Sequence, residues 1–109
     1  MPPKGTKVYN KLVRDRIPEI IEAAGKKCTY EILSTEQYVA MLDAKLNEEL
    51  AEYQKSKSLE ELADLLEVMA AVVTVRGYTW EQLAALRDEK RAERGGFEKK
   101  ILLNAVQED

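Results

Sequence analysis

Apolar residues recur at helical spacing along most of the chain, and three of the resulting segments open on one signature. Ser34-Thr-Glu-Gln37, Ser58-Leu-Glu-Glu61 and Thr79-Trp-Glu-Gln82 each set a hydroxyl three residues ahead of a Gln or Glu. That is the capping box, in which the two side chains satisfy each other's backbone N–H groups. The pattern predicts helices over roughly 35–55, 59–76 and 80–94, the second stopped by Gly77 and the third broken by Gly95-Gly96. A shorter helix begins at Pro18, continues through Ile20, Ile21 and Ala24 and ends at Gly25. Whether Lys11 to Arg16 add an earlier helical turn is left open by the pattern. Residues 28–33 alternate around Tyr30 and Ile32 and predict a short strand, with 97–103 as its natural partner in a two-stranded ribbon. The expected fold is all-α, a bundle of antiparallel helices with that small ribbon attached.

The 59–76 segment is apolar over most of its circumference, and only Glu60, Glu67 and Thr74 make a polar stripe. A helix of that kind must be covered on several sides. A chain of 109 residues with three or four helices is too small to do so alone. A homo-oligomer is therefore expected, a homodimer most simply or a homotetramer. Residues 1–7 read as a loose tail rather than a signal peptide, and 8–109 as one domain. The longest apolar run, 69–75, is too short to span a bilayer.

Hydrophobic residues make up 45% of the chain, ordinary for a folded protein, and the net charge is −3. No general attraction to a nucleic acid polymer or an acidic membrane follows. The chain has no histidine, which excludes Ser-His and Cys-His nucleophiles, histidine-ligated zinc and Glu-x-x-His di-iron bundles. Cys28 is the only cysteine, so no internal disulfide forms, and a cytoplasmic, reducing location is expected.

Two acidic pairs carry the chemistry. Glu49 and Glu52, and then Glu61 and Asp64, are each three residues apart and so share a helix face. Glu49 is flanked at helical spacing by Leu42, Leu46, Leu50 and Tyr53. Glu61 and Asp64 share their face with Leu65, Val68, Ala71, Val72 and Val75. These carboxylates fall where the pattern calls for apolar side chains, and an unpaired buried carboxylate costs several kcal/mol. Two antiparallel helices joined by a tight turn at Ser56-Lys57 would set Glu52 against Glu61, with Glu49 and Asp64 one turn deeper. Such an oxygen cage suits Mg²⁺, with Mn²⁺ as a substitute. Glu48 falls at the edge of the face, and Glu60 and Glu67 point to solvent. Lys90, Arg91 and Arg94 crowd the end of the last helix beside the double glycine, and Lys11 and Arg14 lie in the N-terminal segment. Trp80, Tyr78 and Phe97 read as core or interface residues before they read as base-stacking ones.

The order Lys11-Leu-Val-Arg-Asp15, Ile17-Pro-Glu-Ile-Ile21, Glu48-Glu-Leu-Ala-Glu52, Glu60-Glu-Leu-Ala-Asp64, Lys90-Arg91 and Arg94-Gly-Gly-Phe-Glu98 resembles the MazG-like all-α nucleotide pyrophosphohydrolases. It is most similar to the short house-cleaning branch that acts on noncanonical nucleoside triphosphates. The likeness runs from about Tyr9 to Leu103. It implies Mg²⁺ held by Glu49, Glu52, Glu61 and Asp64, and cleavage between the α and β phosphates to a nucleoside monophosphate and pyrophosphate. Glu48 and Glu49 are then the candidates for orienting or deprotonating the attacking water. Lys11, Arg14, Lys90, Arg91 and Arg94 would bind the departing pyrophosphate. In one departure from the family, only eight residues separate Glu52 from Glu61, a shorter connection than is usual there. The alternatives are the related phosphoribosyl-ATP pyrophosphohydrolase and a non-enzymatic oligomeric helical module whose acids only make ion pairs with Lys45, Lys55 or arginines of a neighbouring subunit.

Overall fold

The computed structural model describes residues 4–108, so Met1, Pro2 and Pro3 of the expected tail, and Asp109, lie outside the described residues. Four helices follow in order: α1 (Ile17–Ala23), α2 (Thr35–Ser56), α3 (Leu59–Val75) and α4 (Trp80–Arg94). The all-α class holds. Lys11 to Arg16 form no helical turn ahead of α1. The ribbon is absent among the described residues, where 28–33 has no strand pairing and 97–103 begins in a turn. Two strands alone are marginal in water, and neither segment finds a third element to lie on.

The capping signatures fix the helix starts, with one informative departure. At α2 and α4 both halves of the box form. The Gln37 N–H donates to Ser34 Oγ at 3.2 Å and the Ser34 N–H to Gln37 Oε1 at 3.2 Å. The Gln82 N–H donates to Thr79 Oγ1 at 3.1 Å and the Thr79 N–H to Gln82 Oε1 at 2.8 Å. At α3 only the forward half forms, from the Glu61 N–H to Ser58 Oγ at 3.3 Å. The Ser58 N–H donates instead to Ser56 Oγ at 3.2 Å. Glu61 is thereby relieved of capping duty and its carboxylate is free to turn elsewhere. The C-terminus of α3 closes at Gly77, with φ +87°. The Tyr78 N–H reaches back to the Val73 carbonyl and the Gly77 N–H to the Thr74 carbonyl, both at 3.0 Å. This is the Schellman arrangement, which needs a residue that tolerates the left-handed region.

Helices α2 and α3 form the main packed pair, joined through Lys57, which is left-handed at φ 56°. The far end of this hairpin is tied by Arg76 to Asp43 at 3.2 Å, and α4 packs on α3. Leu42, 3% exposed, is the one buried hydrophobic residue among those described. The chain is long and thin, 68 × 31 × 27 Å, with a radius of gyration of 19.5 Å. A compact domain of this length has about 13 Å. Because Leu42 has little room to be replaced by rearrangement, Leu42→Ala should cost about 3 kcal/mol, read as a lower denaturant midpoint at unchanged slope.

Along α3, Leu59, Leu62, Leu66 and Met69 are exposed at spacings of three, four and three. That is the a/d pattern of a helix seam. Residues 97–106 add Phe97, Ile101, Leu102, Leu103 and Val106, all exposed. Trp80 and Tyr78, expected in a core or interface, are also exposed within the single chain.

Candidate metal centre

The hairpin brings three carboxylates together. One oxygen each of Glu49, Glu61 and Asp64 lies within 4.8 Å of the other two. Glu49 comes from α2, with Leu46 one turn and Leu42 two turns before it on the same face. It is 8% exposed and is the only buried polar residue described. Glu61 and Asp64 come from the first two turns of α3 and are half-buried. The freed capping carboxylate of Glu61 is what completes the group.

Glu52, expected as the fourth member, stands outside it and is exposed. Of the two α2 acids, Glu52, nearer the Lys57 turn, is exposed and Glu49, one turn further from it, is buried. Glu52 still acts electrostatically. Partial desolvation, followed by repulsion from Glu52, Asp64, Glu49 and Glu60, holds the Glu61 carboxyl above its ordinary value. The greasy quartet expected from the pattern is thus one buried acid, two half-buried acids and one exposed neighbour. Glu60 and Glu67, expected in solvent, are exposed.

The chain's own cations stand against these acids. Lys45 on α2 bridges Glu48 Oε1 and Glu49 Oε1, each at 3.2 Å. Lys11 approaches Glu48 at 3.5 Å. Arg14 donates to Asp64 Oδ1 at 2.7 Å. The non-helical Lys11–Arg14 segment therefore lies over the acidic end of the hairpin, where two of the predicted phosphate ligands meet two of the acids. Partial burial raises the Glu48 carboxyl, but the hydrogen bond and charge of Lys45, with Lys11 beside it, outweigh this and hold it below its ordinary value. Burial likewise opposes the charged form of Lys45, and its bonds to Glu48 and Glu49 outweigh that, raising its ammonium above the usual lysine range. Lys45 is the site residue that sequence reasoning underrated. Its position four residues before Glu49 and three before Glu48 was the available signal.

The α4 cations are not gathered with the acids. Among the described residues no ion pair joins Lys90, Arg91 or Arg94 to the group. Arg91 turns to Glu98 instead, its bond depressing the Glu98 carboxyl. That pair lies over Gly96, in the space beside the double glycine. Two open grooves of about 340 Å³ each lie elsewhere. One runs between α2 and α3 beside Tyr38, Ala71 and Val75, and the other between α3 and α4 beside Met69, Trp80 and Leu83. Neither includes Glu49, Glu52, Glu61 or Asp64.

Crowding at Glu61 has a measurable consequence. In the absence of divalent ions, Glu61→Gln should raise the melting temperature at neutral pH, because it removes a charge that its neighbours repel. The sign follows from the raised carboxyl: its protonated form favours the folded state, so the wild type gains on the variant as pH falls through the Glu61 value. Melting curves at pH 7 and pH 4.5 in chelator test this.

No family model matches the chain, and no solved structure matches it. Over 41 residues it is 58% identical to an uncharacterized protein of Mycolicibacterium smegmatis (strain ATCC 700084 / mc(2)155), a stretch covering 38% of this chain and 42% of that protein. The chain thus matches less than half the length of that relative. No helix among the described residues is long and apolar enough to cross a membrane.

Proposed function

We propose that the chain is a Mg²⁺-dependent nucleoside triphosphate pyrophosphohydrolase, cleaving between the α and β phosphates of noncanonical nucleotides in the cytosol. The observation that carries the reading is the convergence of Glu49, Glu61 and Asp64 oxygens within 4.8 Å, with Glu49 buried. Three carboxylates from a rigid hairpin are a hard-oxygen donor set, which fits Mg²⁺ or Mn²⁺ and not a soft metal. Glu49, Glu61 and Asp64 would hold the ion, and Glu52 would join from the rim. Bound there, Mg²⁺ supplies charge neutralisation at phosphate oxygens and acidification of a bound water.

The remaining roles belong to the chain's own side chains. Glu48, kept ionised by Lys45 and Lys11, orients the attacking water beside Glu49. Arg14 and Lys11 exchange their carboxylate partners for phosphate oxygens as substrate enters. Lys90, Arg91 and Arg94 receive the leaving pyrophosphate once the subunits assemble. Assembly is part of the reading: the α3 seam Leu59–Leu62–Leu66–Met69 and the elongated single chain both call for a second copy, in a homodimer or homotetramer.

The test is pyrophosphate release across standard, deoxy and damaged nucleoside triphosphates, with phosphoribosyl-ATP included, in the presence of Mg²⁺. Release of pyrophosphate and a nucleoside monophosphate from damaged nucleotides is expected. Preference for phosphoribosyl-ATP would transfer the chain to the histidine-pathway enzyme. A second reading draws on a specific observation, since Glu48, Glu49 and Asp64 are already paired within the chain. In a non-enzymatic helical module those pairs are all the acids do. Thermal melting separates the two, because ion binding to the folded state adds about 2.7 kcal/mol at a hundred times Kd, whereas the module is indifferent to Mg²⁺.

A further inference from the structure

We infer that Lys45 is the resident counter-cation of the acidic group, holding its charge balance in the metal-free chain and setting the affinity for the divalent ion that replaces it. The inference rests on the divalent-ion reading of the site.

Lys45 differs from the other cations near the acids. Its side chain is 17% exposed, against 46% for Lys11 and 57% for Arg14. It reaches the group from within α2 itself, so it cannot leave with the N-terminal segment. Its Nζ lies 3.2 Å from Oε1 of Glu49, the buried acid, and 3.2 Å from Oε1 of Glu48. Without that ammonium, Glu49 would be a buried carboxylate with two more carboxylate oxygens inside 4.8 Å, a concentration of charge that the fold could not hold cheaply.

The same geometry makes Lys45 a competitor. An ion held by Glu49 would meet the repulsion of an ammonium that lies 3.2 Å from that carboxylate. The two cations would compete for the charge of Glu49. Glu48 supplies the resolution, because it already accepts from Lys45 and lies outside the three-acid group. With an ion held there, Nζ would keep its pair with Glu48 as the one with Glu49 weakens. The exchange costs one ion pair, not two, and leaves Lys45 at the edge of the site.

The experiment is calorimetric titration of wild type and Lys45→Met with Mn²⁺, alongside melting curves in chelator. Met keeps the apolar stem and removes the charge. Lys45→Met should melt lower without ions and bind Mn²⁺ about tenfold more tightly or better, while Lys45→Arg stays near wild type. A residue that only packs or orders the helix would lower stability without tightening the ion. If wild type binds Mn²⁺ and Lys45→Met binds it no tighter, Lys45 is not the counter-cation. If neither protein binds Mn²⁺, the divalent-ion reading itself fails and takes the inference with it. Should Lys45→Met be unfolded in chelator, Mn²⁺ should restore its helical circular dichroism, and a variant that stays unfolded at saturating Mn²⁺ overturns the proposal.

Discussion

Glu49→Ala should abolish Mg²⁺-dependent pyrophosphate release, by roughly 10³-fold or more, while the helical circular dichroism stays close to wild type. The expectation follows from position. Glu49 is the inner member of the three-acid group and the one excluded from water. A ligand in that position is not replaced by solvent as an exposed one is, and loss of several kcal/mol of transition-state charge stabilisation is worth about three decades in rate. The fold survives for a local reason. Lys45 keeps Glu48 as a partner, so removing Glu49 does not strand a buried ammonium, and Ala is a good helix former. Asp64→Ala should follow the same course with an added signature, since it also frees Arg14. Glu52→Ala should cost less than either, because Glu52 is exposed and outside the group. The measurement is pyrophosphate release against Mg²⁺ concentration for the three variants. Full activity in both Glu49→Ala and Asp64→Ala would remove the acids from the chemistry altogether.

Leu66→Asp should convert the protein from an oligomer to a monomer and broaden its thermal transition. Leu66 lies in the exposed Leu59–Leu62–Leu66–Met69 seam of α3. Its charge would have to be desolvated at the centre of a two-copy interface with no partner provided, and such a burial costs several kcal/mol. Converted at 1.4 kcal/mol per decade, that raises the dissociation constant by roughly 100-fold or more. Stability falls with it, because a single chain with Leu42 as the only buried hydrophobic residue among those described has little core of its own. Sedimentation velocity reads the mass and calorimetry the transition. A control on the outer face, Glu67→Lys, should leave the assembly intact. A wild type that sediments as a stable monomer would refute the seam, and with it the expectation that Lys90, Arg91 and Arg94 meet the substrate through a second subunit.

The two expectations lean on different parts of the chain, so each can fail alone. Loss of the α3 seam would leave the three-acid group standing within one hairpin. Loss of the metal centre would leave an apolar helix that still needs covering.

Much of the scaffold can be read from local chemistry. A hydroxyl three residues before Gln or Glu, a glycine after the last apolar repeat and a proline in a first turn each act within a few bonds of themselves. Such signals mark helix ends before any tertiary contact exists. They located all four helices, the Gly77 stop and the tight connection near Ser56-Lys57, and with them the opposition of the two acidic helices. Exposure of Glu60 and Glu67 followed from the same periodicity. The ribbon did not follow, because a pair of strands is made by what it packs on, and the alternation in 28–33 says nothing about that.

The site divided along the same line. Periodicity put Glu49, Glu61 and Asp64 on facing stripes, because three-residue spacing is a property of the helix alone. Which of four acids goes in and which stays at the rim was decided by the packing of the hairpin, which buries Glu49 and leaves Glu52 exposed. The reciprocal half of the Ser58 box was lost to a contact only two residues away, the Ser58 N–H donating to Ser56 Oγ, and Glu61 was left to the cluster. The partners of the acids were likewise a matter of folding. A lysine one turn before Glu49 can be seen in the chain, but that it is buried, and that Arg14 returns across fifty residues to Asp64, depends on the packing of α2 against α3 and on the path of the N-terminal segment over their acidic end.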